Sequence, residues 1–420
     1  MRRGLLLGAG FSVELGMPTS KEFSQAFFSF LTPKKLKGII DIRKSYEPFG
    51  KDNPTDKNEY DNFYISFMKY LSEGNLNYEE LIRIIDDVSG YERAKQLAKD
   101  DFLVTLRTLI NESFFIFQTQ TYPIYQLNKG WYRQLLSDFA EQELWIYSLN
   151  HDVIIEMLCK DLGFDLYVGG NKTLQLPFNN LDSKRSITFT EVNNVESNLD
   201  NLHFAKNSKG INLIKLHGGI NEFTYDEERK RLFVLPLVNE TSEEYLLGLR
   251  DLLHKPHYFH NGRPIHTGSE IVIGDTDGEM QFLSPSILSG SRKYSPTIDD
   301  RKGEEKMAFF SNGIEIMDEL YVIGYGFGDE HINNRIVRAM HLNEKMKIWV
   351  VDPYNTKQGI LNAFDYDLRV RGINANTTQA ISFIINDKWL IGDKETSLEL
   401  VSTERSKIYD RLYNVNFKRG

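Results

Sequence analysis

Short apolar runs that end in glycine, asparagine, histidine or aspartate recur along this chain, and they constrain its fold more than any other feature. Leu5-Leu6-Leu7 leads into Gly8-Ala9-Gly10-Phe11-Ser12, and "LWIYSLN" (144–150) into His151-Asp152. "INLIKLHGG" (211–219) carries its own His217-Gly218-Gly219 turn. Residues 321–323 lead into Gly324-Tyr325-Gly326, and "KIWVVDPYN" (347–355) ends in Asp352-Pro353. Each run suits a buried strand and is far too short to span a membrane. Strands that alternate with helices and end in such residues form a parallel, doubly wound sheet. The expected fold class is therefore α/β: a Rossmann-like doubly wound parallel sheet, with a helical insertion and a further α+β insertion.

The stretches between the runs set the expected organisation. Residues 1–32 and 141–365 read as the sheet-bearing core, with insertions at 164–210 and 222–310. Residues 33–140 read as a mainly helical insertion, and 366–420 as a C-terminal α+β extension. A helix is expected from Ser12 or Thr19 to about Leu31. Residues 33–57 hold Gly38, Pro48, Gly50 and Pro54 and read as a loop-rich connection. "NYEELIRIIDDV" places Tyr78, Leu81, Ile82, Ile85 and Val88 at helical spacing, with Asn77 as its N-cap. The aromatic-rich face of "DDFLVTLRTLINESFFIFQTQ" reads as core packing. "HDVIIEMLCKDLG" reads as a helix closed by Gly163. A further helix is expected up to Leu320.

Composition narrows the function classes. The 420 residues carry a formal net charge of −9, which speaks against nucleic-acid binding by the molecule as a whole and leaves only a local basic patch possible. The single cysteine, Cys159, allows neither a disulfide framework nor a four-cysteine zinc site within the chain. Met1-Arg2-Arg3 before the leucines resembles a signal peptide, but Gly8, Gly10 and Glu14 interrupt it. A cytoplasmic protein without membrane attachment is the expectation.

In a doubly wound sheet, ligands sit at the carboxyl ends of the strands. A strand, a glycine turn and a helix start together make an anion site at Gly8–Ser12, because unpaired N–H groups and the helix dipole are expected to point outward. His217 is the best general-base candidate, because imidazole titrates near neutrality. Asp152 divides between capping the following helix and serving the site. Asp352 stands where dinucleotide folds place an acidic residue on ribose hydroxyls. His254, His257, His260 and His266 lack the spacing and the carboxylate or cysteine partners of a zinc site, so loop histidines and no metal are expected.

"GAGFS…GMP", "SLNHD", "KLHG" and "IGYGFGDEHIN", in this order, resemble the four signature blocks of sirtuin-like NAD-binding domains, and most closely the bacterial anti-phage branch that destroys NAD. The second block keeps only the Asn and Asp of that family's Thr-Thr-Asn-Tyr-Asp pattern. The resemblance implies that Gly8, Ala9 and Gly10 admit the diphosphate, with Ser12 donating a hydrogen bond. It implies that Asn150 orients the nicotinamide end or holds a water, as a neutral amide can without a charge to desolvate. His217 would be the catalytic base, and Gly324, Tyr325 and Gly326 would line the adenosine side. Asp329 would cap the next helix, with Asn333 on its first turn, and Glu79 or Glu80 echoes a helical glutamate of the family.

The implied activity is cleavage of NAD+, as substrate, to nicotinamide and ADP-ribose, in an effector kept silent until infection. No zinc is expected, because the Cys-x-x-Cys pairs of deacetylating sirtuins cannot be built here; this weakens a protein-deacylase reading. The same resemblance implies a homo-oligomer and a HerA-type ATPase partner, with residues 58–140, residues 222–310 and the C-terminal stretch as contact surfaces. Two alternatives accompany this reading. One is a non-catalytic sensor of NAD or an ADP-ribose derivative, and the other a deacylase or ADP-ribosyltransferase.

Overall fold

The computed structural model describes residues 2–47, 50–74, 76–87, 92–139, 143–181, 186–193, 202–206, 208–225, 230–265, 270–286, 304–353, 367–386, 399 and 401–410. In chain order its strands are β1 (Arg3–Leu7), β2 (Glu143–Ser148), β3 (Leu166–Tyr167), β4 (Lys172–Pro177), β5 (Ser186–Asn193), β6 (Gly210–Lys215), β7 (Glu222–Tyr225), β8 (Lys230–Phe233), β9 (Phe259–His260), β10 (Arg263–Pro264), β11 (Ile271–Gly274), β12 (Met280–Pro285), β13 (Glu319–Ile323), β14 (Lys347–Val351) and β15 (Val370–Ile373). Seven of them form one sheet in the order β15-β14-β13-β1-β2-β6-β3, and every pairing in it is parallel. Leu5, Leu6 and Leu7 are fully buried, as a central strand covered on both faces requires. The fold is the expected α/β doubly wound sheet.

The order carries functional weight. The chain leaves β1 for β2 and β6 on one side, then returns to lay β13 along the other side of β1, followed by β14 and β15. The switch point of the topology is therefore the gap between β1 and β13, and a crevice opens at their carboxyl ends. β15 lies in the segment that the sequence sets apart as a C-terminal extension. It pairs in parallel with β14, so the sheet continues past residue 365.

The two α+β insertions combine. β4 and β5 come from one, β7, β8, β11 and β12 from the other, and they form a single antiparallel sheet in the order β11-β12-β7-β8-β5-β4. Only Leu216 to Asn221 separate β6 of the parallel sheet from β7 of the antiparallel one, so His217 stands at their junction. Lys306 of the helix Glu304–Glu315 lies 2.6 Å from Glu222 Oε1, both fully buried, and ties that helix to β7.

Two expectations need correction, and a third resolves between its alternatives. Residues 33–57 are not all loop, because Pro33–Lys44 is a helix. Thr32 Oγ1 accepts from Lys35 N–H, Pro33 occupies the first turn, and Leu36 and Ile40 bury one face. Gly38 is exposed there, where a glycine costs only about 1 kcal/mol and does not break the helix. Of the two starts expected for the first long helix, Thr19 is the one realised. A four-residue helix (Ala9–Ser12) and a 3-10 turn (Val13–Leu15) stop at Gly16, whose φ is 100°, and Thr19 starts Ser20–Phe30 with a capping box to Glu22. The helix expected to reach Leu320 ends at Glu315, and β13 begins at Glu319, where Asp318 and Glu319 N–H donate to Arg2 O.

The helical insertion behaves as its sequence promises. Helices Lys57–Ser72, Tyr78–Asp87 and Arg93–Asn128 follow in order, and Asn77 Oδ1 accepts from Glu79 N–H at 2.9 Å. Phe102, Leu106, Ile110 and Phe117 are buried, and Phe63 stacks on Phe102 at 5.0 Å. Phe114 of the same face stacks on Phe23 at 3.9 Å, which brings the long helix against the mouth of the parallel sheet.

Candidate functional site

A cavity of about 600 Å³ occupies the switch point, within the range of about 300–1,000 Å³ usual for small-molecule sites. Both turns of that crevice are shaped by their glycines. A Cβ on Gly8 would fall 2.5 Å from Gly324 O, and one on Gly324 would fall 2.3 Å from Phe11 N, at a φ of 65° that other residues avoid. The glycines thus serve first to let one backbone touch another. Gly326 meets nothing within 4 Å and faces the open cavity.

The expectation of outward-pointing amides in the first turn is not met. Gly8 N–H donates to Ile323 O, Gly10 N–H to Gly324 O and Phe11 N–H to Gly8 O. Of the Gly8–Phe11 amides, that of Ala9 has no acceptor among the described residues. The helix behind it has only four residues, too few for a strong dipole.

Asn150 follows β2, held there by Leu149 N–H to Leu7 O (2.9 Å) and Asn150 N–H to Ser148 Oγ (3.1 Å). Its amide donates to Gly8 O at 3.0 Å and to Ser12 Oγ at 3.2 Å. A carbonyl can only accept, so the amide orientation follows from the geometry. Both amide hydrogens are committed, and Oδ1 is the atom that can serve a ligand. Ser12 is buried and acts through Asn150 and Asp152 rather than lining the cavity.

His217 and His151 stand on adjoining loops. His151 Nδ1 pairs with Gly218 O at 3.2 Å, Ile220 N–H donates to His151 O, and the two imidazoles lie 6.3 Å apart. Nε2 of His217 pairs with Asp329 Oδ2 at 3.1 Å, in a buried setting. The other oxygen, Oδ1, accepts from His331 and Ile332 N–H and caps the helix Glu330–Leu342. Asp329 therefore has two tasks, and the second orients the imidazole as a carboxylate partner does in acid–base sites. Asn333 binds Phe327 O and the Tyr325 hydroxyl, which also bonds Asp329, so Tyr325 knits the loop while lining the cavity. Phe327 in that loop has a φ of 55°, an uncommon conformation for a non-glycine residue.

Behind these loops, buried Lys215 pairs with Glu156 Oε1 at 2.8 Å and donates to Asp152 O and to Asn221 Oδ1. The Asp152 carboxylate accepts from Ile154 N–H and lines the cavity. Burial pushes its pKa above the ordinary value, with Glu156 adding and Lys215, Ile154 N–H and Ser12 opposing.

Asn150, His217, Asp152, Gly8, Ala9, Gly324, Tyr325 and Gly326 share the wall of one cavity. Gly10 and Ser12 support it from behind. Asp352 lies outside it: β14 is one strand beyond the switch point, and Asp352 N–H donates to Ile373 O of β15. The wall also includes Glu79, Arg83 and Phe114 from the helical insertion. Glu79 had only a faint signal, and Arg83 and Phe114 had none beyond helical spacing. Phe114 packs edge-on against His151 at 5.4 Å.

The described histidines of the 254–266 stretch do not converge. His257 is buried between Phe178 O and Leu252 O, His254 faces Glu112 at 3.9 Å, and His260 belongs to the β9–β10 ribbon. His266 lies outside the described residues, among which no group of three or more His, Cys, Asp and Glu is placed to hold a metal. Among the described residues no helix is long and apolar enough to cross a membrane. The sequence matches no protein-family model and no curated protein.

Proposed function

We propose that the cavity binds NAD+ and hydrolyses the bond between nicotinamide and its ribose. The observation that supports this most is that Asn150 and His217, from separate strands, line one cavity between the two glycine turns. In this reading the C1′–N bond breaks with its electron pair leaving on nicotinamide. Water forms the new bond to C1′, and its proton passes to His217, held by Asp329. Oδ1 of Asn150 orients the water or the ring, and a neutral amide adds no charge to the developing oxocarbenium. The products are nicotinamide and ADP-ribose.

The resemblance to anti-phage NAD-consuming proteins extends the proposal to a cytoplasmic effector kept silent by its own oligomer or by a HerA-type ATPase. Incubating the purified full chain with NAD+, alone and with such a partner, and measuring nicotinamide release tests it. Asn150→Ala and His217→Ala are each expected to cut turnover by about a hundredfold or more with unchanged melting temperature. Tight NAD+ binding with the dinucleotide intact in every mixture would favour the sensor instead. Absence of NAD+ binding would sink both.

A further inference from the structure

A dinucleotide carries a diphosphate, and the cavity gives it a poor welcome from its backbone. Three amides of the Gly8–Phe11 turn are already bonded. The helix Glu330–Leu342 also directs its N-terminus to the cavity, but the Asp329 carboxylate takes the amides of His331 and Ile332. The wall carries the carboxylates of Glu79, Asp152, Asp329 and Glu330. Among the described lining residues Arg83 is the sole lysine or arginine.

Arg83 stands four residues after Glu79 on the helix Tyr78–Asp87, so the two share a face. Its guanidinium grips Glu80 through two bonds, Nε to Oε2 at 2.9 Å and a terminal nitrogen to Oε1 at 2.6 Å. Their side chains are 46% and 36% exposed, so this ion pair is weak and readily exchanged. The planar fork that fits a carboxylate fits a phosphate equally well.

Building on the dinucleotide reading of this cavity, we propose that Arg83 is its phosphate-binding residue, exchanging Glu80 for the diphosphate. The helical insertion then completes the ligand site, and the charge absent from the glycine turn is supplied by a helix.

Calorimetric titration of the full chain with ADP-ribose and with adenosine tests this. Arg83→Gln should weaken ADP-ribose by tenfold or more and leave adenosine within twofold, with Arg83→Lys between. Glu80→Gln, which removes the competing carboxylate, should tighten ADP-ribose about threefold and leave adenosine unchanged. Raising salt should weaken ADP-ribose for the wild type more than for Arg83→Gln. Unchanged ADP-ribose affinity in Arg83→Gln, or equal loss of both ligands, overturns the assignment. A wild type that binds neither ligand overturns the dinucleotide reading itself.

Discussion

At residue scale, the buried carboxyl of Asp152 sets a pH dependence whose sign can be worked out. Burial raises its pKa in the folded chain above the ordinary 3.8, so the folded state holds a proton that the unfolded state has released. Stability from this group is present below the ordinary value and is lost as pH rises through the raised one. Asp152→Asn keeps the acceptor for Ile154 N–H and removes the charge. Relative to wild type it should gain stability as pH rises from 4 to 7, read from paired melting curves. A constant difference across that range would contradict the argument. Asn150 and His217 were legible from sequence because polar residues at strand ends converge in any doubly wound sheet. The second task of Asp329 was not. Its helix-capping signature is complete without His217, which lies 112 residues earlier in the chain. Arg83 was hidden for a similar reason, because helical spacing does not say which exposed face meets a sheet.

The two glycine turns belong to the element scale, and they separate steric from ligand roles. Gly324→Ala combines a φ of 65° with a Cβ 2.3 Å from backbone, and should cost at least about 2 kcal/mol in denaturant unfolding. Gly326→Ala meets nothing within 4 Å and should stay within about 0.5 kcal/mol of wild type, yet lower nucleotide affinity by crowding the cavity. Equal stabilities for the two variants would refute this division. The strands were legible from their apolar runs and polar ends. The state of the Gly8–Phe11 amides was not, because two of their acceptors, Ile323 O and Gly324 O, lie more than 300 residues away in sequence. The helix Pro33–Lys44 escaped notice because its breakers sit where they do no harm: Pro33 in the first turn and Gly38 on the exposed face.

Across the whole molecule, segments from both ends of the chain brace the same wall. The Tyr409 hydroxyl donates to Gly16 O at 2.9 Å, Arg405 pairs with Glu22, and Glu14 accepts from Thr378 N–H and its hydroxyl at 2.8 and 2.7 Å. Gly16 adjoins Met17 and Pro18, which line the cavity. Tyr409→Phe should cost about 1 kcal/mol of stability and raise KM for NAD+ several-fold with kcat held, measured by steady-state kinetics beside a thermal melt. A fall in kcat at constant KM would place the effect elsewhere. The joining of the two insertions into one antiparallel sheet left no trace in the sequence, because β5 pairs with β8 across the whole of β6 and β7 and cross-strand register has no local signature.

β1 sits at the centre of the parallel sheet, and one flank of it is covered by Glu319 to Ile323, more than 300 residues later in sequence. The crevice at its tip draws on residues as late as His331 and is buttressed by Tyr409. A growing chain therefore carries an unzipped β1 and an open crevice until those residues have been made. A ligand of the finished chamber therefore meets its complete wall only once residues as late as His331 have joined those that surround Gly8.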